Sequence, residues 1–293
     1  MAIVPISDAF MSRRSIRIGT RGSLLALVQA NHIKDRLESV DDTGVECELV
    51  VIKTEGDQST QPISELGGKS SFVGALEQAL RANRIDIAVH SFKDITSTPH
   101  NDLVLTGFFQ TERSTDAVIL FNNKCIDTVP TTIATGSMRR QALSKYWYPN
   151  MTCVPIRGNI DTRIIRAKEA GYDGLMLSTA GLQRLGREGE ISQELDPTSF
   201  IPAPGQGMVA VQQRHDDDDL RDRVASLMSP SVHALGTLYW QLLQGISFNC
   251  QKPLGAYVSG DILHVFLDHH RPMFFQCPKT DVAVAIDALV RYG

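Results

Sequence analysis

Four arginines stand in two pairs between Thr135 and Arg163: Arg139 with Arg140, then Arg157 with Arg163. Small or hydroxyl residues flank both pairs, Thr135, Gly136 and Ser137 before the first, Gly158 and Thr162 within the second. A guanidinium is a planar fork of donors that matches a carboxylate or phosphate. Small neighbours let backbone N–H groups reach the same anion, and a helix start adds a favourable dipole. The chemistry this pattern fits is capture of a polyanion. Two solvated helix starts with surface arginines would read the same way, and these residues alone do not choose between the two.

Two more places could join such a site. Arg21 and Ser23 lie in a Gly-Thr-Arg-Gly-Ser turn, and Lys93 and Asp94 follow the apolar run Ile85–His90. Polar residues just past the carboxyl end of a strand are where α/β sheets hold ligands. A turn with two solvated charges is the plainer reading of Lys93 and Asp94. Gly67-Gly68-Lys69-Ser70-Ser71 suggests a nucleotide loop, but Ile63 occupies the place where the frame needs its first glycine. The segment from Gln58 to Ser71 reads instead as a mobile loop that could act as a lid.

The elements that must hold these residues follow from hydrophobic periodicity. Ser15–Gly19 reads as a strand and Leu24–Val40 as a helix with Ser23 near its N-cap. Strands are expected at 46–54, 85–90, 103–109, 117–120, 131–134, 152–156, 174–177 and 208–212. Helices are expected at 72–83, 141–147, 159–170, 178–187, 231–244 and 282–291. The repeated strand–turn–helix order implies a parallel sheet. Phe200–Gly207 is a Pro/Gly hinge, and the last part of the chain, with a strand pair turned at Gly260-Asp261, reads as a small α+β unit.

Composition narrows the function classes. The 293 residues are 42% hydrophobic and 21% charged, with 29 basic against 33 acidic side chains and a net charge of −4. That balance suits a soluble globular protein and argues against general nucleic-acid binding. No apolar run is long enough for a bilayer, and Met1–Ser15 has no signal-peptide core. The five scattered cysteines form no C-x-x-C, which points to a reducing compartment and to neither zinc nor a disulfide framework. Asp216–Asp219 reads as a helix start, not a metal site, since adjacent carboxylates on a helix splay apart.

Several stretches together resemble porphobilinogen deaminase, also called hydroxymethylbilane synthase. They are I-G-T-R-G-S-L-L-A-L-V-Q at 18–29, T-E-G-D at 54–57, F-V-G-A-L-E-Q-A-L at 72–80 and D-I-A-V-H-S-F-K-D at 86–94. They continue with T-G-S-M-R-R-Q at 135–141, R-G-N-I-D-T-R at 157–163, A-G-L-Q-R-L-G at 180–186, P-A-P-G-Q-G at 202–207 and C-Q-K-P-L-G-A-Y at 250–257. The resemblance implies an α/β fold of two periplasmic-binding-protein-like lobes joined by hinge strands, plus a small α+β C-terminal domain. It places the first lobe at 15–111 and 207–226, the second at 112–206 and the last domain at 227–293.

The same resemblance implies a transferase that adds four porphobilinogen units head to tail, losing ammonia each time, on a dipyrromethane cofactor bound through a cysteine thioether. Asp94 matches the catalytic carboxylate and Cys250 the cofactor cysteine. Lys93, Ser137, Arg139, Arg140, Arg157, Gly158 and Gln206 match cofactor-binding positions. Arg21, Ser23, Thr135 and Arg163 match substrate-binding positions, and Lys69 and Phe72 match the lid region. No metal, nucleic acid or membrane is implied, and a cytoplasmic monomer is expected, with an organelle also open.

This chain departs from the family's usual pattern at several points. Phe248-Asn249 stands where relatives usually have Gly-Gly before the cysteine, Ile95-Thr96 where Val-Pro is usual, Gly136 where a second serine is usual, and Gln212 where Glu is usual. A relative that cannot load its cofactor is the alternative raised by Phe248-Asn249. A non-catalytic two-lobed binder of an anionic small molecule is another, but such a protein needs neither Asp94 nor Cys250.

Overall fold

The computed structural model describes residues 14–39, 45–53, 70–95, 101–110, 112–122, 125–126, 129–246 and 253–292. Lys69, Cys250 and Phe248-Asn249 lie outside the described residues, as does the side chain of Phe72.

In the first lobe, β1 (Ser15–Thr20) leads into α1 (Leu24–Ser39), followed by β2 (Glu46–Val51), α2 (Ser70–Arg81), β3 (Ile87–Ser91) and β4 (Leu103–Gln110). The second lobe holds β5 (Asp116–Leu120), β6 (Thr131–Ala134), α3 (Met138–Trp147), β7 (Met151–Val154), α4 (Ile160–Glu169), β8 (Gly174–Ser178), α5 (Thr179–Arg184) and the short β9 (Gln193–Glu194). The chain then returns through β10 (Met208–Arg214) and α6 (Asp218–Ser226). It ends with α7 (Pro230–Gly245), β11 (Leu254–Ser259), β12 (Ile262–Asp268), β13 (Pro272–Pro278) and α8 (Val282–Tyr292).

Among the described residues the strands form three sheets, ordered β2-β1-β3-β10-β4, β7-β6-β8-β5-β9 and β11-β12-β13. The expectation of a parallel sheet is corrected here. β1, β2 and β3 are parallel, but β10 runs antiparallel to β3 and β4. Likewise β6, β7 and β8 are parallel while β5 opposes β8 and β9. The reason is the route of the chain. A strand arriving from the other lobe enters at the cleft edge, where the parallel strands end. Val209 accordingly pairs with Ser91, and Asp116 with Ser178, so each incoming strand starts beside the end of its neighbour.

Each sheet is held by an apolar layer. Ile16, Ile18, Ile87, Val89 and Val211 pack with Ile33 and Leu37 of α1 and with Leu220 and Val224 of α6. In the second lobe Ile133 and Met176 pack with Leu143 of α3, and Leu175 and Leu177 pack with Ile164 of α4. Leu263, Val265 and Leu267 of β12 pack with Leu242 and Leu243 of α7 and Leu289 of α8. Fully burying one such side chain is worth about 1.5–3 kcal/mol. This last core runs on into the first lobe: the rings of Phe92 and Phe108 meet at a tilt with centroids 4.9 Å apart, and Tyr239 of α7 joins them.

β13 lies outside the strand pair expected for this region. Its bounding prolines, Pro272 and Pro278, argue against a central strand, but β13 is an edge, where proline is tolerated. The aspartate run does start a helix. The Asp217 side chain accepts from the Leu220 amide as N-cap of α6, and Arg14 pairs with both Asp217 and Asp219.

Candidate active site

The candidate residues sit where strands of both lobes end and helices begin. In the first lobe, β1 ends at Thr20, Arg21 follows, and Ser23 accepts from the Ala26 amide at 3.3 Å at the start of α1. β3 ends at Ser91, whose hydroxyl exchanges hydrogen bonds with the Gln29 side chain at 2.9 and 3.1 Å. One 3-10 turn, Phe92–Asp94, then projects Lys93 and Asp94 while Phe92 is buried beneath them.

In the second lobe, β6 ends before Thr135, which is buried and accepts from the Ser137 amide at 3.3 Å. Ser137 caps α3, accepting from the Arg140 amide. After β7, Gly158 adopts φ +109°, a conformation that L side chains rarely take, and Arg163 Nε donates to its carbonyl at 2.5 Å. The lobes meet where α5 packs against α1: a methyl placed on Gly181 would lie 3.9 Å from Leu25. A small cavity at this junction is lined by Leu25, Ser91, Lys93, Ser178, Gly181 and Arg184 among others.

The charges converge on the same space from both sides. Burial pushes the Arg163 guanidinium down to about 10, Arg140, Arg157 and Arg21 add to the lowering, and Asp94 opposes it. Arg21 and Asp94 come from one lobe and the other three from the opposite lobe. Several cations with one carboxylate among them suit a ligand that is anionic at its rim and turns cationic at its reacting centre.

Arg139 and Arg140 are not the solvated surface arginines that one of the two readings of their sequence setting allows. Both are buried, 5% and 6% exposed, and both are held by Asp116, which is fully buried. Arg139 Nη1 donates to Asp116 Oδ2 at 2.7 Å, and Arg140 Nε donates to Oδ1 at 2.9 Å. Arg139 also reaches the Ile201 carbonyl and Arg140 the Met176 carbonyl. Burying a guanidinium without a counter-charge costs several kcal/mol, which is why the carboxylate is there. Burial raises the Asp116 carboxyl, but the two guanidiniums outweigh it and hold the group well below the usual carboxylate range. Two cations on one anion still leave one positive charge in balance, and Arg139 Nε is buried without a partner among the described residues.

Gln206 completes this knot. Its Nε2 lies 2.7 Å from the Ser114 carbonyl, 2.9 Å from that of Thr115 and 3.0 Å from Asp116 Oδ1, so it ties together the two segments that cross between the lobes. Arg184 adds a second tie, to Glu112 on one crossing segment and to the Gly207 carbonyl on the other. Gly207, at φ +87°, lets the segments approach: a methyl there would sit 3.1 Å from the Glu112 carbonyl.

Asp116, Gln29 and His90 join the site without a local motif that marks them in the sequence. Asp116 follows Glu-Arg-Ser-Thr, which reads as a turn, and its arginine partners are distant in the chain. A lone acid opening an apolar strand, Asp-Ala-Val-Ile-Leu, is the available signal.

The family profile described as "Porphobilinogen deaminase, dipyromethane cofactor binding domain" matches residues 16–222. The chain belongs to the porphobilinogen deaminase family. The porphobilinogen deaminase of Ehrlichia chaffeensis is 37% identical over 257 residues, 86% of this chain and 86% of that one. The porphobilinogen deaminase of Syntrophobacter fumaroxidans is 35% identical over 250 residues, 84% of this chain and 81% of that one. Among solved structures, the Bordetella pertussis BvgS periplasmic VFT2 domain aligns with a TM-score of 0.46 and 12% identity over 77% of this chain and 93% of that one, a likeness too loose to carry an argument.

Porphobilinogen deaminase relatives make a dipyrromethane the group to test against this site. Each of its two pyrroles carries two carboxylates. The convergence of Arg21, Arg140, Arg157 and Arg163, together with the unpartnered Arg139 Nε donor, fits that charge. Cys250, the residue expected to carry the tether, lies outside the described residues; β11, which follows it, donates from the Ala256 amide to the Pro202 carbonyl of the hinge at 2.8 Å.

Proposed function

We propose that this chain is a hydroxymethylbilane synthase, a transferase that joins porphobilinogen units head to tail with loss of ammonia. The observation that carries this reading is that the half-buried Arg163 feels Arg21 and Asp94 from the first lobe together with Arg140 and Arg157 from the second. In the cleft, Arg21, Arg157 and Arg163 hold acetate and propionate groups, with Ser23, Thr135, Ser137 and the Gly158 backbone adding hydrogen bonds. Each charge-assisted bond is worth about 1.5–3 kcal/mol.

Asp94 is the catalytic carboxylate. Its negative charge stabilises the positive charge that develops on a pyrrole as ammonia leaves, and it accepts or returns the proton that the ring must shed. Lys93 binds a carboxylate beside it. Arg139 and Arg140, anchored by Asp116, present their net positive charge to the cofactor. When bound, dipyrromethane supplies a free pyrrole position that accepts the first unit. Cys250 carries it, since a thiolate is the nucleophilic form that makes a thioether. Lys69 and Phe72 belong to the covering segment, and Gln206 sets the hinge. The working division is 15–111 with 207–226, then 112–206, then 227–293. The protein acts as a cytoplasmic monomer; no helix among the described residues is long and apolar enough to cross a membrane.

The test is intact mass spectrometry of the purified chain. A mass above that of the sequence by one dipyrromethane, lost in Cys250→Ser, is expected. An unmodified Cys250 in protein made by cells that synthesise porphobilinogen would refute the assignment.

A further inference from the structure

Behind Asp94 lies a buried polar chain that carboxylate binding does not use. His90 of β3 is 6% exposed, and its Nε2 lies 3.1 Å from Gln212 Oε1. Gln212 of β10, 5% exposed, donates from Nε2 to Glu77 Oε1 at 3.1 Å. Glu77 of α2 is itself 8% exposed, with Arg81 3.9 Å away. The direction of this chain follows from its last member. A carboxylate only accepts, so the Gln212 amide must turn its NH2 to Glu77 and its oxygen to His90. His90 must then carry its proton on Nε2.

A second proton on that ring would make a buried cation hydrogen-bonded to an amide, with no carboxylate as its partner in the chain. The charged groups that bear on the ring are Asp94, which favours the cation, and Arg21, which disfavours it. Burial is the largest influence and pushes the ring down to about 4, with the Gln212 bond pulling the other way.

We propose that Glu77, Gln212 and His90 form a positioning relay that fixes the single His90 proton on Nε2 and, by meeting the ring with an amide and not a carboxylate, gives an imidazolium no counter-charge, so that the fold adds no positive charge beside Asp94. The consequence is electrostatic. A cation at His90 would offset the field that Asp94 offers to a cationic pyrrole, and in a buried site that field is the larger part of its value. The relay rests on the reading of Asp94 as the catalytic carboxylate.

Gln212→Glu tests it. It is made in a Glu77→Gln background, so that the new carboxylate faces an amide donor and not a second carboxylate; it then gives His90 an anionic partner and lets the ring protonate near neutral pH. The expected result is a new acid limb in the pH profile of kcat for porphobilinogen consumption, falling about ten-fold per pH unit, with KM little changed. The double variant His90→Gln with Gln212→Glu, in the same background, should lack that limb, because the amide keeps a donor but cannot protonate. An unchanged profile in Gln212→Glu, or a limb that persists in the double variant, overturns the relay.

In the parent protein, the His90 ring resonance, assigned by its loss in His90→Gln, should not titrate between about pH 5.5 and 8.5. A ring that titrates near its ordinary value of about 6.5 overturns the relay even if Gln212→Glu fails to fold. Asp94→Ala separates the two readings: normal turnover there sinks the role of Asp94 itself, whereas an inactive Asp94→Ala beside an unchanged Gln212→Glu profile sinks the relay alone.

Discussion

Asp116→Asn is the sharpest test of how the cleft is held. The substitution keeps shape and removes one charge. In the native protein Asp116 accepts from Arg139 Nη1, from Arg140 Nε and from Gln206 Nε2 at 2.7–3.0 Å, with the carboxylate fully buried. Asparagine would leave two buried guanidiniums side by side, one of them facing an amide NH2. Removing one partner of a buried ion pair costs about 3–5 kcal/mol because the remaining charge is stranded. Against a typical stability of about 5–15 kcal/mol, that is a large fraction.

Urea unfolding followed by tryptophan fluorescence and circular dichroism measures the loss. Asp161→Asn is the control: its pair with Arg187 is solvent-exposed on the aspartate side and should contribute about 0–1 kcal/mol. The pH dependence supplies a second reading. Because the folded Asp116 carboxyl sits below its unfolded range of about 3.9, its contribution is fully present above that pH and is lost as pH falls below it. Asp116→Asn should lack that portion of the acid sensitivity. A loss under about 1 kcal/mol, or one equal to the Asp161 control, would refute the view that a single carboxylate organises the arginines.

Two other outcomes are expected. Arg163→Leu should lower kcat/KM for porphobilinogen by about 10- to 100-fold, the range of one charge-assisted hydrogen bond; steady-state kinetics at saturating and limiting substrate would show it, and wild-type values would contradict the carboxylate cradle. Gly158→Ala should destabilise by about 1–3 kcal/mol, since the residue holds φ +109° and a methyl would meet Thr162 Cγ2 at 2.8 Å; thermal melting checks it, and an unchanged midpoint would contradict the strain.

The parts of this site that sequence makes legible are those with local signatures. Gly-Thr-Arg-Gly-Ser, Ser-Phe-Lys-Asp and Arg-Gly-Asn each read as the turn after a strand, because periodicity and capping residues act over a few positions. The direction of β5 and β10 is not legible, because alternation reports which face a side chain takes and not which way the strand runs. Nor is the pairing of Arg139 and Arg140 with Asp116. A guanidinium reads the same whether its anion is a ligand or a buried side chain far along the chain, and only the fold brings Asp116 under them. β13 is hidden by its prolines, whose tolerance depends on the strand being an edge.

The route of β10 also governs how this chain must come together. β10 lies between β3 and β4, yet it is made after the whole of the second lobe. Until residue 214 has left the ribosome, β3 and β4 have no strand between them, and the facing edges of both stay open. The second sheet suffers no such delay, since β5 to β9 run without interruption. A nascent chain therefore completes its later lobe before its earlier one, against the usual N-terminal-first order of synthesis. Any pause or truncation between Glu194 and Met208 would leave a finished second lobe attached to an unfinished first, with adhesive strand edges exposed.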